Sequence, residues 1–111
     1  MANVFSVLLG ANNNIGTAYH FGPPPAGTIW VIRDVSFYFA PGLASTYGGE
    51  STLTDSNGIV ICATPNPMVP FKLYHYDLRQ VITSSPAVTL TAFNAASFSD
   101  FRCTGYQLTL P

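Results

Sequence analysis

Runs rich in Val, Ile, Thr, Tyr and Phe alternate along the chain with short clusters of Gly, Pro and Asn, the pattern of short strands closed by turns. Val4 to Leu9 is the first such run. It ends at Gly10 and the tract Asn12-Asn13-Asn14, whose short amides favour turns. A second short strand around Thr17 to Phe21 stops at Gly22-Pro23-Pro24-Pro25-Ala26-Gly27. Prolines cannot donate to a ladder, so this segment reads as a stiff surface connection. Thr28 to Ala40 is the longest predicted strand. A period of two puts Ile29, Val31, Arg33, Val35, Phe37 and Phe39 on one face, which is expected to be the core, and Trp30, Ile32, Asp34, Ser36, Tyr38 and Ala40 on the other. On that alternation Arg33 and Asp34 point to opposite faces. Arg33 then stands on the apolar side, where it requires a carboxylate or carbonyl partner or a place at a subunit contact.

Pro41-Gly42 breaks the long strand, and the stretch to Gly58 reads as the longest loop, with Ser51 to Thr54 able to form a short edge strand. Ile59 to Ala63 is a continuous apolar run, compatible with a strand buried on both faces. Pro65, Pro67 and Pro70 force another extended connection. Phe71 to Arg79 alternates again, and Val88 to Phe93 and Phe101 to Leu110 complete about seven or eight strands. No window carries a helical repeat. The expectation is an all-β fold: a single two-sheet β-sandwich domain over residues 1–111, jelly-roll or immunoglobulin-like.

Charge changes the picture more than hydrophobicity does. Hydrophobic residues make up 48% of the 111, but Asp, Glu, Lys and Arg only 8%, against roughly 25% in a typical soluble domain. A compact domain with so few charges presents a neutral skin that favours association, so the chain reads as a subunit of something larger. Arg33, Lys72, Arg79 and Arg102 are scattered singly, which argues against nucleic acid as a partner. No apolar run reaches the roughly 18 residues of a membrane-spanning helix, and no membrane partner is expected. The start lacks a basic residue ahead of its brief apolar run, so no cleaved leader is expected. Cys62 and Cys103, 41 positions apart, form no metal-ribbon pattern; each reads as a small buried hydrophobe, with a disulfide left open.

Candidate chemistry is sparse. His75-x-Asp77 places an imidazole and a carboxylate on one strand face, able to orient a general base or offer two metal ligands, but also an ordinary surface pair with Arg79 beside it. Phosphate loops, nucleophile elbows and the H-E-x-x-H pattern are missing. No catalytic residue, metal or cofactor is therefore assigned. Aromatic residues reach 14%, and Tyr and Trp are favoured at interfaces. Trp30, Tyr38, Tyr47, Tyr74 and Tyr76 are the interface candidates. Trp30, Tyr74 and Tyr76 could alternatively form a sugar-stacking platform or fill the core.

Two stretches, Pro-Pro-Ala-Gly-Thr-Ile-Trp-Val-Ile-Arg-Asp-Val from Pro24 to Val35 and Phe-Arg-Cys-Thr-Gly-Tyr-Gln-Leu-Thr-Leu-Pro from Phe101 to Pro111, resemble small virion proteins of tailed phages of actinobacteria. The resemblance covers about a fifth of the chain and implies a β-sandwich that decorates a capsid or belongs to the tail, in many copies and without enzymatic activity. The expected role is a capsid decoration or minor capsid protein in the virion, assembled in the host cytoplasm. Its expected partners are the major capsid protein or other virion proteins and copies of itself, with a trimer at a three-fold position. A tail or tail-tip subunit and a carbohydrate-binding module are the alternatives.

Overall fold

The alternating runs fold into eight strands in a computed structural model that describes residues 6–41, 48–95 and 99–111. They are β1 (Val7–Asn12), β2 (Tyr19–Phe21), β3 (Thr28–Phe39), β4 (Ser51–Asp55), β5 (Val60–Ala63), β6 (Leu73–Thr83), β7 (Leu90–Asn94) and β8 (Ser99–Thr109), with a 3-10 turn at Ile15–Thr17. Pairing is antiparallel and nested: β1 with β8, β2 with β7, β3 with β6, β4 with β5. Rolling that nested ribbon brings β8 against β3 and β7 against β4. The result is two four-stranded sheets, β1-β8-β3-β6 and β2-β7-β4-β5. This strand order is the jelly roll, and it decides between the two sandwich types left open by the sequence.

Between the sheets lies a core of Ile15, Phe21, Trp30, Ile32, Val35, Phe37, Phe39, Leu53, Leu90, Phe101 and their neighbours. Its centre is aromatic: Phe21 stacks on Tyr19 with centroids 5.3 Å apart, and Phe101 meets Phe21 at 5.6 Å and Phe37 at 5.5 Å. Burying each such side chain contributes roughly 1.5–3 kcal/mol. At one end Asn94 donates from Nδ2 to the Gly48 carbonyl (2.6 Å) and to Ser51 Oγ (3.0 Å). Ser51 N donates in turn to Thr64 Oγ1 at 2.9 Å. Buried Asn94, Ser51 and Thr64 thereby satisfy one another and tie the chain on either side of β4 to β7.

Strand β3 departs from strict alternation. Thr28, Trp30 and Ile32 are buried in its first half, but Val35, Phe37 and Phe39 in its second. Against β8 the register slips between Ile32 and Asp34 so that Arg33 is the extra residue of a β-bulge, and against β6 it slips the other way, with Leu78 and Arg79 opposite Arg33. The expected core face is therefore correct only from Val35 onward. In the first half Trp30 and Ile32 fill the core, and Ile29 and Val31 lie on the outer side. Two further expectations change. The short β4 is an inner strand between β7 and β5, and β5 is the edge, which leaves Val60 and Ala63 exposed rather than buried on both faces.

Candidate functional site: the outer face of the β1-β8-β3-β6 sheet

The bulge decides where the ionic groups go. With Arg33 absorbed as the extra residue, Asp34 turns to the outer face of its sheet, opposite Asp77 on β6. On β6 the side chains of Tyr74, Tyr76 and Leu78 pack toward the core, so His75, Asp77 and Arg79 point outward. On β8 Phe101 and Cys103 are buried, so Asp100 and Arg102 point outward too. One sheet face thus carries Asp34, His75, Asp77, Arg79, Asp100 and Arg102, more than half of the four basic, five acidic and two histidine side chains of the chain. Arg33 joins its margin, lying over the Tyr106 ring with Cζ 5.9 Å from the centroid. Its Nε is buried with no hydrogen-bond partner. Of the partners expected for Arg33, no carboxylate pairs with it among the described residues, and its guanidinium makes a cation–π contact instead.

The other sheet's outer face is different in kind. Register places His20, Thr91, Phe93, Thr52, Thr54, Val60 and Ala63 on it. His20, whose Nδ1 lies 2.8 Å from Thr91 Oγ1, is the single ionisable group among them. At the outward strand positions the molecule is two-faced: six ionic side chains on one sheet and His20 alone on the other.

Two features occupy the ionic face. His75 Nε2 lies 3.1 Å from Asp34 Oδ1 and 3.7 Å from Asp77 Oδ1. The expected partner on its own strand is therefore the more distant one; Asp34 stands on the outer face that its spacing predicts, and its approach to His75 was missed because it depends on β3 pairing with β6. The ligand atoms of Asp34, His75 and Asp77 all fall within 4.8 Å of one another, a spacing that could hold a metal ion. All three are well exposed, Asp77 to 85% of its side chain, so the ion pairs are screened by solvent. Beside them is an open cleft of about 310 Å³ lined by Ala11, Asn13, Ser36, Tyr38, Asp100, Phe101 and Arg102, at the small end of ligand sites.

The interface candidates separate. Tyr38 lies on the outer face and lines the cleft. Trp30 is only 7% exposed and donates from Nε1 to Gln107 Oε1 at 3.0 Å. Tyr74 is 8% exposed, and its hydroxyl accepts a hydrogen bond from Val69 N at 2.7 Å. Tyr76 packs against the core edge-on to Phe37 with centroids 6.4 Å apart, and burial, with Cys62 and Tyr74 adding to it, pushes its phenol above the ordinary value. Of the two alternatives read from the sequence, core filling holds for Trp30 and Tyr74, which are buried, while Tyr76 is partly buried and packs against that core. Tyr47 lies outside the described residues.

Cys62 and Cys103 are both free. Burial pushes each thiol up to about 12, which removes the thiolate needed for nucleophilic chemistry. No family model, curated protein or solved structure matches the chain.

Proposed function

We propose that the protein is a non-enzymatic structural subunit of a phage virion, a decoration or minor capsid protein that seats on the assembled head. The observation that carries this reading is the division of the jelly roll into an ionic and a neutral sheet. A neutral outer sheet loses little hydration when it is covered, because no unpaired charge must be desolvated. The ionic sheet then remains toward solvent and keeps the coated particle dispersed.

Two considerations support placing it in a virion. The stretches that resemble small phage virion proteins lie on β3 and β8, which pair along almost their whole length; the resemblance thus concerns one structural unit in the middle of a sheet. Jelly rolls recur in viral capsid domains, an analogy of fold that raises the expectation without assigning the role. Repeated contacts of roughly 800 Å² per partner would hold such a subunit without any single strong site. The test is co-sedimentation of the purified protein with heads and with tails prepared separately. The protein is expected to pellet with heads; recovery in the supernatant, or pelleting only with tails, would overturn the head assignment.

A further inference from the structure

Each sheet of the sandwich ends in two edge strands, and three of the four are short: β1 has 6 residues, β2 has 3 and β5 has 4. The fourth, β6, has 11 and hydrogen-bonds to β3 on one side only. A long edge is a template for another strand, and natural sheets usually shorten it, cover it or spoil it with charge. Among the described residues no strand pairs with its free edge, and its outward side chains Leu73, Asp77 and Val81 are exposed, Leu73 to 60%.

The charges on β6 do not spoil it for a copy of itself. A two-fold axis normal to the sheet pairs residues whose numbers sum to a constant, and the two copies keep a common outer face only when that constant is even. The midpoint of Leu73–Thr83 is Leu78. Pairing about Leu78 overlaps the strands completely, with no overhang. It sets Asp77 opposite Arg79 of the second copy and Arg79 opposite Asp77, with His75 opposite Val81 and Leu73 opposite Thr83 on the same face. Moving the axis to Asp77 or to Arg79 puts like charges directly opposite, which is destabilising. Among the described residues Arg79 has no carboxylate within ion-pair distance, and the ion-pair contact of Asp77 is the 3.7 Å approach to His75. Full overlap and charge complementarity select the same register by independent routes.

We propose that the β6 edge is a self-association surface: two copies join antiparallel about Leu78 to form a continuous eight-stranded sheet, locked by reciprocal Asp77–Arg79 pairs. This goes beyond the virion reading and holds whatever particle the protein joins. It closes on two copies, so it makes the dimer, and not the trimer expected from the sequence, the first assembly.

Light scattering of the purified protein after size exclusion tests it. The expected mass is twice 11.9 kDa. Arg79→Asp alone and Asp77→Arg alone are each expected to give the monomer mass, because each sets like charges opposite. The double variant Asp77→Arg/Arg79→Asp restores opposite signs and is expected to return to the dimer mass, and Glu50→Arg, a charge reversal away from the edge, to leave it unchanged. A monomeric parent protein, an oligomer whose mass ignores the single reversals, or a double variant that stays monomeric would overturn the proposal. Circular dichroism of each variant separates loss of pairing from loss of fold. Head binding is read separately, so a monomer that still pellets with heads refutes this contact and not the virion reading.

Discussion

Cys103 is sealed from solvent between the sheets, and burial raises its thiol from the ordinary 9.0 to about 12, with Cys62 raised as far. Between those limits an unfolded chain gives up thiol protons that the folded chain keeps. The unfolded state then binds fewer protons, so stability is whole below about pH 9 and declines as pH rises toward about 12. Melting temperature followed from about pH 8 to about pH 11 should fall, and the fall should be shallower in Cys62→Ala/Cys103→Ala, which has no thiols to ionise. Equal slopes in the two proteins would show that the thiols are not held protonated. Neither position was readable beyond "small and buried" from the sequence, because a 41-residue spacing says nothing about which strands end up facing each other.

The bulge in β3 is the element-level device on which the site depends. Opposite it on β8 stands Gly105, paired with Ile32, and a Cβ there would run into the carbonyl oxygen of Val31. The obstacle is backbone, so it cannot rotate away. Gly105→Ala is expected to cost about 3 kcal/mol or more, read as a lower denaturation midpoint. An unchanged midpoint would mean that β3 and β8 do not approach as described. Period-two alternation made the strands and most of the core legible: Val35, Phe37 and Phe39 were read correctly from spacing alone. Trp30 and Ile32, expected outside, and Ile29 and Val31, expected in the core, were misplaced because one extra residue reverses the faces of everything on one side of it. Arg33-Asp34 in mid-strand was the available signal, since a buried guanidinium beside an unpaired carboxylate is a costly arrangement that a bulge relieves. For β4 and β5, run length and hydrophobicity could not say which strand would find two neighbours, because that is settled by the nested pairing of distant segments.

At the scale of the whole molecule, scarcity of charge leads to the expectation of an associating surface, but only the folded arrangement shows that more than half of the ionic side chains share one sheet face. The neutral face offers Phe93, 38% exposed, directly opposite Thr52 on β4. Both side chains point outward, so changing them should leave folding intact. Covering this face against a head surface would force any charge planted there to lose its hydration. The most direct measurement is therefore co-sedimentation with heads of a Phe93→Lys/Thr52→Lys variant beside the parent protein, at matched melting temperatures. Burial of the neutral sheet requires at least about a tenfold loss of affinity, a change of about 1.4 kcal/mol. Retention equal to the parent's, with two lysines standing on that face, would contradict it.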